Sequence, residues 1–113
     1  MAQRPTVVLG EFCAVLRLGL TVVLAEGGCR VIADGASAES LRSAVAAGAD
    51  AVLLDLDAPT CADDALRLLA GSPGLRVVGC SAERPAMRVF QRSGALDERA
   101  LEVPELLAAI ARK

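Results

Sequence analysis

The sequence predicts a single α/β domain over residues 1–113, built on a doubly wound, five-stranded parallel sheet with helices on both faces. Three observations predict it. Short aliphatic runs alternate with segments of helical spacing, and right-handed crossovers turn that alternation into a parallel sheet. The chain is 54% hydrophobic with only two aromatic residues, so the core must be aliphatic. A length of 113 residues suits one domain with a core of its own.

The first four elements alternate strictly between strand and helix. Residues 6–10 form a short run that is rich in β-branched side chains, as is typical of a strand. Residues 12–26 place apolar side chains at helical spacing, and a glycine pair follows as a stop signal. A second strand is expected over residues 29–33. The helix expected over residues 37–48 begins at a serine suited to its N-cap and ends at a glycine.

The middle of the chain continues the alternation. Residues 50–55 form an aliphatic run of the kind found in a parallel strand buried on both faces. Residues 63–70 predict a short helix, closed by a segment rich in glycine, serine and proline. Residues 75–80 predict a fourth strand.

The last third has weaker signals. Residues 85–93 predict a fourth helix, with a proline suited to its first turn. Residues 99–103 are the one candidate for a fifth strand, and they are charged and short. Residues 104–112 predict a fifth helix.

Charge and cysteine content exclude several classes of function. The net charge is −2 and no basic run is present, which argues against direct binding to nucleic acid. The apolar stretches are too short to span a bilayer, and no signal peptide is evident, so we expect a cytoplasmic protein without a membrane segment. Four cysteines without a close pair, in a chain without histidine, predict free thiols rather than a zinc site.

Several motifs occur in a characteristic order. The run over residues 50–59 ends its strand at Asp55, continues to Asp57 and closes with a proline. A hydroxyl-Ala sequence at residues 81–83 follows the fourth strand, and a Gly-Ala pair at residues 94–95 precedes the fifth. With these motifs the chain resembles a response-regulator receiver domain, of the subtype usually joined to a helix-turn-helix DNA-binding domain. The resemblance implies the strand order 2-1-3-4-5 and a role in two-component signal transduction and transcription regulation.

The resemblance also implies a set of site residues. Asp55 would accept a phosphoryl group, and Asp57 would lend its backbone carbonyl to Mg²⁺. Glu11 would be the surviving member of an acidic pair, which makes Glu11, Asp55 and Asp57 the metal set. Ser81 would be the hydroxyl that closes on the phosphate. Oxygen ligands around a hard cation, which neutralise the phosphoryl oxygens, are what this chemistry needs.

The sequence departs from the family at the positions that bind the metal and the phosphoryl group and at those that respond to phosphorylation. Gly10 stands where the second acid of the pair would be, and the only lysine of the chain is Lys113. The segment over residues 96–104 lacks the aromatic residue that swings with phosphorylation in the family. We therefore expect an atypical receiver, or pseudo-receiver, that is not an enzyme. Phosphorylation of Asp55 and binding of Mg²⁺ should be weak or absent.

A module without phosphate switching must act by association. If the chain is complete, we expect it to form a homodimer or to bind a partner regulator or kinase; otherwise a DNA-binding domain would follow Lys113. The expected surface combines apolar residues with opposite charges after the fourth strand, which suits a self-complementary dimer. Its residues are Met87, Arg88, Phe90, Arg92 and Glu105. The alternative is that the apolar members complete the core.

Two other classes of function fit parts of the sequence. An STAS-type anti-sigma-factor antagonist fits the aspartate spacing over residues 55–63, but needs a strand hairpin at residues 12–26 and a serine where Asp64 stands. A small nucleotide-binding enzyme would need a glycine-rich phosphate loop after a strand, whereas the glycine pair follows a helix. The site residues also have plainer roles: Asp55 and Asp57 as turn residues, Ser81 as a loop cap and Glu11 as a surface charge.

Overall fold

The computed structural model describes residues 4–33, 38–72, 74–91, 93 and 96–111. Within these ranges the chain forms six strands and four helices. They are, in chain order, β1 (Thr6–Leu9), α1 (Ala14–Glu26), β2 (Arg30–Ala33), α2 (Ala38–Ala46), β3 (Ala51–Asp55), α3 (Cys61–Gly71), β4 (Arg76–Cys80), β5 (Ala86–Phe90), β6 (Leu96–Ala100) and α4 (Val103–Ala111). None of the helices in the described ranges is long and apolar enough to cross a membrane.

The strands form one mixed sheet in the order β2-β1-β3-β4-β5-β6. The first four of these are parallel to one another, as a chain of βα crossovers requires. β5 and β6 run antiparallel to their neighbours β4 and β5. The α/β class is thus confirmed, whereas the prediction of a purely parallel, five-stranded sheet was wrong.

The segment after β4 differs most from the sequence-based prediction. Residues 85–93 were expected to form a helix, but β5 lies there, and β6 begins three residues before the strand expected at 99–103. Met87 and Phe90 are both buried, at 0% and 4% exposure, and their spacing of three fits one face of a helix. In the strand they point to opposite faces of the sheet instead. Met87 belongs to one core and Phe90 to the other.

Two apolar cores sandwich the sheet. Leu20 and Leu24 of α1 pack with Leu106 and Ile110 of α4 on one face. α2 and α3 cover the opposite face, which includes Leu41 and other residues. A three-layer arrangement follows, in which the central strands are buried on both faces. α1 also occupies the position where the STAS-type alternative needs a strand hairpin.

β3 is one of the two inner strands of the parallel part and is tied at both ends. At its amino end, the Asp50 carboxylate accepts hydrogen bonds from the backbone N–H of Thr6 at 2.8 Å and from its hydroxyl at 3.0 Å. At its carboxyl end, the Leu56 N–H donates to the Cys80 carbonyl at 3.0 Å. The register between β1, β3 and β4 is thereby held on either side of the apolar run.

The layers predict a contrast between two leucine truncations in helices. Leu106→Ala, at 2% exposure in α4, should lower the free energy of unfolding by about 2 to 5 kcal/mol because it leaves a cavity. Leu66→Ala, at 46% exposure in α3, is the matched control and should cost under about 1 kcal/mol. Urea unfolding followed by circular dichroism measures both. Equal losses for the two variants would contradict the assignment of α4 to the core.

Candidate functional site

The expected site residues lie at one edge of the sheet, beyond the carboxyl ends of adjacent parallel strands. Gly10 and Glu11 follow β1, Asp55 ends β3, and Ser81 follows β4. The strands remain paired up to this edge, since the Gly10 N–H donates to the Leu53 carbonyl at 2.9 Å. Open α/β sheets commonly bind ligands at such an edge.

Asp55 is half-buried at the end of β3, in the expected position. Its Oδ1 atom accepts a hydrogen bond from the backbone N–H of Asp57 at 3.0 Å. This contact turns the chain out of the strand, as aspartate side chains often do in loops. The Asp55 carboxylate therefore stabilises the turn with which the β3–α3 loop begins.

The Asp57 side chain binds the loop that follows β4. Its carboxylate accepts hydrogen bonds from the Ser81 hydroxyl at 2.7 Å, the Ala82 N–H at 2.9 Å and the Glu83 N–H at 3.3 Å. The bond from Ser81 is the main cause that lowers the pKa of Asp57 below its usual 3.8; desolvation opposes it, and the two backbone donors and the charge of Arg84 add to it. The anionic form is thus the one this loop stabilises.

Ser81 is buried, at 3% exposure, and its hydroxyl is fully used. While it donates to Asp57, its oxygen accepts the backbone N–H groups of Glu83 and Arg84, each at 3.2 Å. A hydroxyl has one proton and two lone pairs, so these three bonds exhaust its capacity. We call Asp57, Ser81 and the backbone N–H groups of residues 82–84 the Asp57–Ser81 cluster. The role of the Asp57 side chain as its central acceptor was not anticipated from the sequence.

The side chains of Glu11, Asp55 and Asp57 do not form a joint metal-binding group. Among the described residues, no three acidic or cysteine side chains are close enough together to hold a metal ion. Glu11 is exposed, while the Asp57 carboxylate is directed at the loop after β4. Room for the second acid is also small, because a Cβ atom added at Gly10 would lie 3.3 Å from the Leu53 carbonyl oxygen.

The residues expected at an association surface are used within the chain. Met87 and Phe90 are buried in the two cores. Arg88 donates to Glu98 on the neighbouring strand at 3.2 Å, and Glu105 accepts from an arginine of β6. Arg92 lies outside the described residues. The described members of this surface therefore hold the β5–β6 hairpin onto the rest of the sheet and onto α4.

Three of the four free thiols are buried, whereas Cys13 is exposed. Desolvation is the main cause that raises the pKa of Cys61 to about 11, and the nearby Asp55 adds to it. Burial likewise raises the pKa of Cys80 to about 12. Both are neutral at physiological pH, and a neutral thiol is a poor nucleophile. Neither supplies reactive chemistry beside Asp55.

A cleft of about 370 Å³ lies at the opposite end of the strands. Leu75 and Arg76, at the start of β4, line it together with Phe90 and Gln91 at the end of β5. Because Asp55 and Ser81 are at the carboxyl ends of their strands, the cleft is separate from the candidate site.

Comparison of the chain with protein-family models, with curated proteins and with solved structures finds no match in any of the three.

The Asp57–Ser81 cluster predicts that Ser81 contributes to stability. Ser81→Ala removes the three hydrogen bonds of a buried hydroxyl, so it should lower the free energy of unfolding by about 1 to 3 kcal/mol. Ser43→Ala, at an exposed position of α2, should change it by less than about 0.5 kcal/mol. Denaturant unfolding of both variants tests the difference. If Ser81→Ala lowered the free energy of unfolding no more than Ser43→Ala, the structural role of the Ser81 hydroxyl would be contradicted.

The lowered pKa of Asp57 predicts a pH dependence of the same cluster. Because the folded-state pKa lies below the unfolded one, the carboxylate stabilises the fold above about pH 4. This contribution declines as the pH falls through the folded-state pKa. The difference in unfolding free energy between wild type and Asp57→Asn should therefore be larger at neutral pH than in acid. A difference that stays constant across this range would contradict the assigned ionisation.

Proposed function

We propose that the chain is a receiver-like regulatory module of signal transduction, which acts in the cytoplasm by association with other protein chains rather than by phosphoryl transfer. The module would influence transcription through a partner regulator or a second copy, and no catalytic role is proposed. The observation that carries the proposal is the saturated hydroxyl of Ser81. A hydroxyl that already makes three hydrogen bonds is unavailable to a phosphoryl group on Asp55.

The order of strands supports the receiver-like part of the proposal. β2, β1, β3 and β4 stand in the sequence implied by the resemblance, and Asp55 ends β3 at the carboxyl edge. The β5–β6 hairpin replaces the helix and the parallel strand that would follow β4 in the family. The departure thus falls on the segment that passes the phosphorylation signal to a surface in the family.

The electrostatics of the edge support the loss of phosphoryl transfer. A phosphoryl group brings additional negative charge next to Asp55, where Mg²⁺ and a lysine would normally compensate for it. Gly10 removes one metal ligand, and the sole lysine is at the end of the chain. The residue that would lend its carbonyl to Mg²⁺, Asp57, is tied through its carboxylate to the loop after β4, which restrains its backbone. Each of these features disfavours a stable acyl phosphate.

The test is incubation with acetyl phosphate and Mg²⁺, followed by intact mass measurement. We expect the wild type to remain unmodified under conditions that phosphorylate a conventional receiver domain run in parallel. Asp55→Asn and Asp63→Asn, the latter at an exposed position of α3, are the matched variants. Near-stoichiometric addition of a phosphoryl group that is lost in Asp55→Asn and kept in Asp63→Asn would refute the proposal.

A further inference from the structure

One side of α1 is apolar yet exposed. Val15, Leu18 and Val22 are 83%, 68% and 48% exposed, although the opposite side of the same helix packs in the core. The α1 outer face consists of Ala14, Val15, Leu18, Gly19, Val22 and Ala25. Among the exposed residues on this side of α1, the one charged residue is Glu26 at the carboxyl end. Adjacent large apolar side chains that remain exposed are candidates for contact with another chain.

Both ends of α1 lack the charges that stabilise a helix. At its amino end the N-cap residue Cys13 makes no side-chain capping bond, and the first turn holds no acidic residue. At its carboxyl end the last turn holds no basic residue, and the helix ends at Glu26, which is exposed. An anion is favourable at the amino end of a helix and unfavourable at its carboxyl end. Glu26 is therefore at the wrong end of its own helix.

From these two observations we infer that the α1 outer face binds a second copy of this chain, with the two α1 helices antiparallel. The second copy is then the partner for the association in the proposed function, on which this inference rests. With the two-fold axis midway between Leu18 and Val22, each Leu18 faces Val22 of the other copy. Val15 then faces Ala25 of the other copy, so the large apolar side chains of the outer face all meet apolar partners.

The same arrangement corrects the charges at the helix ends. Counted from that axis, Glu26 of one copy lies level with Ala14 of the other, at the first turn next to Cys13. The carboxylate meets the free N–H groups and the positive end of the dipole of the second copy, and leaves the unfavourable end of its own helix. By symmetry this happens twice in one dimer. A parallel pair would instead bring the two Glu26 carboxylates together.

The size of the face sets the expected strength. A helix of 13 residues is about 20 Å long, so a strip along it covers roughly 300 Å² in each copy. Stable interfaces bury about 800 Å² on each partner, and smaller ones are transient. We expect a reversible dimer with a dissociation constant between about 10 μM and 1 mM.

Sedimentation equilibrium at concentrations across this range tests the inference. The wild type should shift from monomer to dimer as concentration rises. Leu18→Lys places a charge at the centre of the face and should weaken dimerisation by about tenfold or more. Leu66→Lys, on an exposed position of α3 beyond the opposite face of the sheet, should leave it unchanged. A wild type that stays monomeric throughout, or equal weakening by both substitutions, would overturn the inference.

A charge exchange tests the antiparallel geometry. Glu26→Lys should weaken the dimer because it places a cation at the amino end of the second helix. Adding Ala14→Glu in the same chain should restore the dimer, because each introduced ammonium then meets an introduced carboxylate of the other copy. The exposed Cys13 gives an independent check. In the antiparallel pair the two thiols lie about 20 Å apart along the axis, too far for a disulfide, so mild oxidation should not cross-link the dimer. Absence of rescue, or rapid cross-linking through Cys13, would overturn the arrangement.

The outcomes remain distinguishable from those for the proposed function. A monomeric wild type that resists phosphorylation would refute the dimer alone. A dimer that accepts a phosphoryl group on Asp55 would refute the proposed function and leave the α1 contact standing.

Discussion

The backbone pairing of β3 with β1 and β4 is the constraint on which the rest of the structure depends. Its first four residues are buried, and the helices of both layers pack over the cores on its two faces. A strand in this position has no exposed face, so only aliphatic side chains fit along it until the edge of the sheet is reached. Asp50 and Asp55 mark the two places where that restriction ends. The polar cluster at the carboxyl edge exists because three strands end together there.

The parallel half of the fold could be predicted because each of its strands is a short aliphatic run between turn residues. The β5–β6 hairpin could not be predicted, because the apolar residues within 86–90 fit the spacing of a helix and also that of a strand. The interval between Met87 and Phe90 matches a helix that buries one face, and equally a strand buried on both faces. Whether the segment forms a helix or a strand depends on whether the free backbone groups of β4 pair with it. That pairing is decided by the assembled sheet and cannot be read from five residues.

The place of the candidate site in the fold could be predicted from the sequence, but the hydrogen bonds within it could not. Strand ends fix where Glu11, Asp55 and Ser81 lie, so a resemblance and a count of residues suffice to place them at one edge. The direction of the Asp57 carboxylate follows from the path of the loop after β4, whose Ala82 and Glu83 N–H groups donate to it. Local turns of this kind leave little trace in a sequence, because aspartate and serine are common in all loops.

The two border strands of the sheet, β2 and β6, differ from its inner strands in one further respect. β6, at one border, carries three consecutive charged residues, Asp97, Glu98 and Arg99, and β2, at the other, has only four residues. Short and charged borders discourage the addition of a foreign strand, which is the route from an open sheet to fibrils. Both border strands of the described sheet therefore disfavour pairing with a strand of another molecule.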